Sequence, residues 1–131
     1  MRKYMIVMMG LMAALGLAAA VQAQRGERVF LGSTHVDGDV DHDKIKVGRH
    51  DGRFRAIQFE VDRGVVEFDR VVVRFGNGEK EELAFRQRVG AGSETRPIDL
   101  PGDKRVIESV DVWYSKARWE HRPKVSLFGI R

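Results

Sequence analysis

The sequence predicts an all-β fold: an antiparallel, jelly-roll-like β-sandwich that follows an N-terminal signal peptide. Beyond the leader, apolar and polar residues alternate, which is the period of a strand and not of a helix. Short turn signals such as Gly76-Asn77-Gly78 and Pro101-Gly102-Asp103 separate the apolar runs. No window of about 11 residues in this region has the spacing of an amphipathic helix. Short strands at close spacing favour a two-sheet sandwich, and a partly closed barrel is the alternative.

The leader has the layout of a secretory signal peptide. Arg2 and Lys3 precede an apolar run from Met5 to Ala20, and Val21-Gln22-Ala23 supplies small residues for cleavage. We predict cleavage after Ala23, so that residues 1–23 are the signal peptide and residues 24–131 form one domain in the periplasm or outside the cell. An uncleaved membrane anchor is the alternative, because the apolar run approaches the roughly 20 residues that span a bilayer.

Composition excludes several classes of protein. The chain has no cysteine, which excludes disulfides, a thiolate metal site and a lipidated N-terminal cysteine. The leader carries two basic residues and no acidic one, so the formal charge falls from +4 to about +2 on cleavage. A nearly balanced charge gives little attraction for polyanions. We therefore expect no nucleic-acid partner and no stable membrane insertion after cleavage, and the oligomeric state stays open.

Alternation also predicts which residues face the core. The predicted inward residues are Ile57, Phe59 and Val61; Val71, Val73 and Phe75; Val106, Glu108, Val110, Val112 and Tyr114; and Val125 and Leu127. Val66 and Phe68 have even numbers, whereas Val71, Val73 and Phe75 have odd numbers, which predicts a bulge or a short corner near Asp69-Arg70. On the other side of the third run, we expect Trp113 to belong to the core.

Two turns are predicted on either side of the run from Val71 to Phe75. Gly76-Asn77-Gly78 predicts a tight hairpin, because Asn-Gly supplies the positive φ angles that such hairpins need. Asp62-Arg63-Gly64 is predicted to turn residues 55–61 back into residues 65–68.

The order of these segments carries a resemblance to a known group. The segments are Leu31-Gly32, an Asp/His-rich linker, Arg55-Ala56-Ile57-Gln58-Phe59, Val71-Val72-Val73-Arg74-Phe75, Arg96-Pro97-Ile98-Asp99-Leu100 and Val125-Ser126-Leu127-Phe128-Gly129. In this order the chain resembles small bacterial periplasmic proteins that carry a domain of unknown function. The resemblance implies a jelly-roll-like sandwich and a periplasmic location, and it implies no catalytic residue.

An acidic segment is the candidate metal site. Asp37, Asp39, Asp41 and Asp43 alternate along it, and carboxylates in a loop are the ligands that Ca²⁺ prefers. An EF-hand is excluded, because the positions for its glycine and its last glutamate hold other residues. The alternatives are a calcium loop of another kind, weak Zn²⁺ binding, and a solvated linker paired with the basic residues after it. We expect no cofactor unless calcium binds here.

A second segment is the candidate ligand site. It contains Arg118, Trp119, His121 and Arg122. An aromatic face beside polar groups can stack on a sugar ring while the polar groups hold its hydroxyls. The alternative is that Trp119 packs over an edge of the sandwich with an arginine stacked on it.

No residue pattern indicates an enzyme. No serine lies in a nucleophile elbow, and no histidines have the spacing of a zinc protease. We therefore predict a non-catalytic module that binds a glycan or another envelope component. The alternative is a structural or protein-interaction component that adds a partner strand at a sheet edge, near Val29–Leu31 or Val125–Ile130.

Overall fold

The computed structural model describes residues 26–36, 42–115 and 122–131. They form two antiparallel sheets that pack face to face, so the predicted sandwich is confirmed. The strands are β1 (Arg28–His35), β2 (His42–Lys46), β3 (Arg53–Phe54), β4 (Ala56–Asp62), β5 (Val66–Phe75), β6 (Lys80–Leu83), β7 (Gln87–Val89), β8 (Ser93–Glu94), β9 (Ile98–Asp99), β10 (Arg105–Ser115) and β11 (Lys124–Ile130). One turn of 3₁₀ helix spans Arg49–Asp51. Within these ranges, no helix has the length and apolar character needed to cross a membrane.

The two sheets differ in their central strands. The first sheet has the order β1-β11-β4-β8, and β9 also pairs with β4. The second has the order β2-β10-β5-β6, with β3 paired to β10 and β7 paired to β5. Consecutive strands such as β1 and β2 therefore alternate between sheets at several points in the chain. The core between the sheets consists mainly of alternate apolar side chains from both inner faces.

Aromatic rings join the two sheets in the core. Phe59 of β4 and Phe68 of β5 are both buried, and their ring centroids are 5.0 Å apart across the sandwich. Phe85, in the segment after β6, packs against Phe68 at 5.6 Å. Burying one such side chain contributes about 1.5–3 kcal/mol, so this cluster is a main source of cohesion between the sheets.

The predicted hairpin at Gly76-Asn77-Gly78 is confirmed between β5 and β6. The Gly78 N–H donates to the Phe75 carbonyl at 3.0 Å, and the Phe75 N–H donates to the Glu79 carbonyl at 2.9 Å. Gly78 has a φ of +89°, whereas Asn77 does not take a positive φ. The loop therefore needs one left-handed residue and not two, and the Asn77 side chain accepts a hydrogen bond from the Glu79 N–H.

The predicted bulge is confirmed in β5. Tyr114 lies opposite Phe68, and Trp113 lies opposite Arg70, so Asp69 is the extra residue. Because one residue is inserted, the buried positions change from even to odd along a single continuous strand.

The predicted inward face of β10 is wrong at its beginning. Ile107 is fully buried and Glu108 is exposed, although the alternation placed Glu108 inward and Ile107 outward. A second register shift, between Ile107 and Ser109, is the physical reason. The charged residue in an otherwise apolar run was the signal for this bulge.

Two predicted neighbour relationships are also wrong. Strands β4 and β5 belong to different sheets, so the turn at Asp62-Arg63-Gly64 carries the chain across the sandwich and does not form a hairpin. Strand β11, predicted as a possible edge, lies between β1 and β4 at the centre of its sheet. Strand β1 is at the edge, as predicted.

The corner between β3 and β4 is closed by contact of Phe54 with Gly129. Phe54 is fully buried, and a Cβ atom added at Gly129 would lie 2.5 Å from its Cδ1 atom. The ring therefore occupies the space that any larger residue at position 129 would need.

Candidate binding site at one end of the sandwich

The residues that flank the two candidate segments lie together at one end of the sandwich, which we call the loop end. Val36, at the end of β1, donates a backbone hydrogen bond to the Pro123 carbonyl at 2.8 Å. His35 pairs with Lys124 in the first sheet, and His42 pairs with Trp113 in the second. Segments 37–41 and 116–121 therefore start and finish at the same end.

Most of the predicted site residues belong to those two segments. Asp37, Asp39, Asp41, Arg118, Trp119 and His121 lie outside the described residues. Arg122 is exposed at the loop end, just before β11, and Asp43 is the second residue of β2.

Asp43 lies on the inward face of β2 with the buried residue Ile45. It is near Tyr114, whose side chain is only 3% exposed. Burial raises the pKa of the Tyr114 hydroxyl, and the Asp43 carboxylate raises it further. In the part of the chain that the structure describes, no three His, Asp or Glu side chains come together as metal ligands. Calcium binding therefore stays a prediction that depends on Asp37, Asp39 and Asp41.

The prediction that Trp113 belongs to the core is wrong. Its side chain lies partly exposed on the outer face of the second sheet. The reason is that Val112 and Tyr114 face the core, which turns Trp113 outward. The His42 ring stacks on the indole with centroids 4.3 Å apart and planes 9° apart. The Arg70 guanidinium carbon lies 4.8 Å from the indole centroid. We call these three residues the Trp113 row.

Hydrogen bonds fix both ends of the Trp113 row. His42 Nε2 and Asp111 Oδ1 are 2.9 Å apart, and Arg70 Nε donates to Glu82 Oε1 at 2.8 Å. His42 and Arg70 pair with Trp113 from the strands on either side of β10. They therefore cover the indole from opposite sides, and the edge of the ring is the part left for a ligand.

A groove of about 570 Å³ lies beside Arg70, and we call it the Arg70 groove. Its lining side chains are those of two ion pairs and three apolar residues between them. They are Arg70–Glu82 at 2.8 Å, Arg86–Asp69 at 3.0 Å, and Leu83, Ala84 and Phe85. Sequence reasoning missed this groove, because its residues meet only when β5 pairs with β6.

The loop end carries a His–Asp pair, His42–Asp111. A His–Asp pair such as His42–Asp111 orients the base of many hydrolases. Such a base acts on a hydroxyl or thiol within hydrogen-bond distance. The His42 ring is hydrogen-bonded to Asp111, and no side-chain hydroxyl of the described residues forms a hydrogen bond with it.

Comparison with known proteins gives a family and a weak structural likeness. The model of a domain of unknown function, DUF2541, matches residues 5–129, which include most of the apolar leader. The search of curated proteins gave no match. One solved structure, a mutant of a family 29 carbohydrate-binding module, is 14% identical over 81% of this chain and 79% of that chain, with a TM-score of 0.38. A likeness of that size says nothing about what this chain binds.

Proposed function

The chain belongs to the DUF2541 family, a domain of unknown function, and from its geometry we propose that it is an exported, non-catalytic module that binds a neutral glycan of the cell envelope. The ligand would lie along the Arg70 groove and reach the loop end. Export is inferred from the leader, and a periplasmic or secreted location follows from it.

The observation that carries the proposal is the Arg70 groove next to the Trp113 row. A sugar presents hydroxyls that both donate and accept hydrogen bonds, and C–H surfaces that contact apolar groups. Arg70 and Arg86 supply donors, Glu82 and Asp69 supply acceptors, and the exposed Ala84 contributes apolar surface. The volume of the Arg70 groove, about 570 Å³, is within the usual range for a small-ligand site.

The charges of the groove decide which glycans it suits. Each arginine of the groove is paired with a carboxylate, so the site has no excess of either sign. An acidic sugar would have to displace a carboxylate from its arginine, whereas a neutral sugar can hydrogen-bond to both partners. We therefore propose a neutral glycan.

We propose that the segment after Trp113 completes the site. The Trp113 indole is covered on both sides, so it offers an edge and not a stacking face. Trp119 follows on the same connection to β11, together with Arg118, His121 and Arg122. Trp119 would supply the aromatic face on which a sugar ring stacks.

The experiment is a glycan array followed by calorimetry on two matched variants. Glu82→Gln removes an acceptor from the groove, whereas Glu81→Gln makes the same change one residue away, on an exposed side chain that does not line it. We expect the first variant to bind the selected glycan about tenfold more weakly, as for loss of a hydrogen bond to a charged group, and the second to bind normally. An array without a bound neutral glycan, or an equal loss in both variants, would contradict the proposal.

A second candidate function is favoured by Phe30. This side chain is 56% exposed on β1, the edge strand of the first sheet. It packs edge-on against Phe128 with centroids 5.6 Å apart. An exposed edge strand can accept a strand from an envelope protein. A photo-crosslinker at position 30 would then yield one discrete adduct in exporting cells, and the same probe at Lys44, on the other sheet, would not.

A further inference from the structure

The end of the sandwich opposite the loop end carries a cleft lined by arginines. It has a volume of about 520 Å³ and an open mouth, and we call it the arginine cleft. Its lining residues are Arg49, Arg53, Phe75, Gly76, Asn77, Arg105 and Val106. The three arginines meet because β3 pairs with the beginning of β10, where Arg53 lies opposite Val106. The 3₁₀ turn that carries Arg49 lies just before β3.

Arg105 forms the fixed wall of the cleft. Its guanidinium lies 3.8 Å from the centroid of the Phe75 ring and donates to the Pro101 carbonyl at 3.0 Å. It also donates to the Glu79 carboxylate at 3.0 Å. That hydrogen bond holds the pKa of Glu79 below its ordinary value. Arg105 is therefore oriented, and its charge is compensated by Glu79.

Arg49 and Arg53 differ from Arg105 in that their side chains have no compensating partner among the described residues. Both side chains are exposed, and neither side chain forms a hydrogen bond or an ion pair with another described residue. Among the described residues, one carboxylate forms an ion pair with an arginine of the cleft. It is Glu79, and its partner is Arg105. The cleft thus holds two guanidinium groups whose charge and N–H donors are available. A concave surface of one charge attracts ions of the opposite sign.

We propose that the arginine cleft binds a phosphate group through Arg49 and Arg53. A guanidinium presents parallel N–H donors that match two oxygens of a phosphate, and two of them suit its tetrahedral shape and its negative charge. Arg105 would line the site without being displaced from Glu79. The open mouth allows the phosphate to be free or to be attached to a lipid headgroup.

This proposal is independent of glycan binding. The Arg70 groove has paired charges and lies along β6, the edge strand of the second sheet, whereas the arginine cleft has two unpaired arginines and lies between the 3₁₀ turn and the hairpin at Gly76. A variant of one site leaves the side chains of the other unchanged.

The test uses the purified protein with two probes. Inorganic phosphate is titrated by calorimetry against a chloride control of equal ionic strength, and vesicles of phosphatidylglycerol are compared with vesicles of phosphatidylcholine. The variant Arg49→Gln/Arg53→Gln removes the free guanidiniums. The control Arg88→Gln/Arg96→Gln removes the same charge from two exposed arginines outside the cleft. Since the side chains of Arg49 and Arg53 make no hydrogen bond or ion pair with other described residues, the thermal midpoint in chloride should not change.

We expect the cleft variant to bind phosphate at least about tenfold more weakly and the control variant to bind it normally. Binding to phosphatidylglycerol vesicles alone, with the same dependence on Arg49 and Arg53, also supports the proposal and identifies the headgroup as the source. Equal loss in both double variants indicates general charge attraction and overturns the proposal. So does the absence of binding to either probe.

Discussion

The amide N–H of Val36 donates a hydrogen bond to the carbonyl oxygen of Pro123 across 2.8 Å, and this bond joins the ends of the two candidate segments. The acidic segment begins at the residue after Val36, and the aromatic and basic segment finishes at Arg122, the residue before Pro123. The backbone positions next to the two segments are therefore neighbours, although they are far apart in the sequence. A ligand at the loop end could draw on both segments at once.

Calcium should stabilise the protein if the acidic segment binds it. Selective binding to the folded state adds about 2.7 kcal/mol of unfolding free energy when the ion is present at 100 times its dissociation constant. A thermal-shift titration with Ca²⁺ and then EDTA measures this. Asp37→Asn/Asp39→Asn should abolish the shift, whereas Asp103→Asn, in the turn at the other end, should not. Absence of a shift in the unaltered protein would contradict calcium binding and favour the alternative that the segment is a solvated linker.

The substitution Trp119→Ala should abolish glycan retention and leave the thermal midpoint nearly unchanged. The reason is that an aromatic stacking face contributes to the ligand complex and not to the core. Affinity electrophoresis and a thermal melt on the same preparation measure the two effects. A large fall in the midpoint would instead mean that Trp119 packs on the sandwich.

The substitution Gly129→Ala should destabilise the fold. The added methyl group would lie 2.5 Å from Phe54 Cδ1, and overpacking of this kind costs about 1–3 kcal/mol. Urea denaturation measures the loss. Gly48→Ala is the matched control, because its Cβ would have no atom within 4 Å and its φ of −164° is extended. Equal effects of the two substitutions would be evidence against the close contact.

Stability in alkali should depend on Tyr114. Its pKa is higher in the folded than in the unfolded chain, so the folded state holds the proton more tightly. The stability it contributes is complete below the unfolded pKa of about 10 and is lost as the pH rises above it, at up to about 1.4 kcal/mol per pH unit. Tyr114→Phe should flatten this part of the profile and change little at neutral pH. Parallel profiles for the two proteins would contradict the assignment.

The features that the sequence predicted are those with a local cause. The turn residues Gly76-Asn77-Gly78 predict the hairpin that they form. The inward positions change from even to odd numbers between Phe68 and Val71, and this change predicts the bulge at Asp69. In each case, the signal and the structure lie within a few residues.

The features that it missed depend on which strands pair. The prediction that Trp113 is buried rests on its place in a strand, yet its partners on β2 and β5 are a histidine and an arginine on an outer face. Arg49, Arg53 and Arg105 form a cleft only because β3 pairs with β10. A single sequence carries no local signal for such pairings, since they bring together residues that are distant along the chain.

The bulges have a consequence for the lengths of strands β5 and β10. Loss of one residue from the middle of a strand ordinarily turns every later side chain to the opposite face. Without Asp69, however, Phe68 and Val71 would fall on a common face of an unbroken ladder, and the same holds for Ile107 and Val110 without Glu108. Over evolutionary time these two strands can shorten by one residue at those places while the same side chains continue to fill the interior.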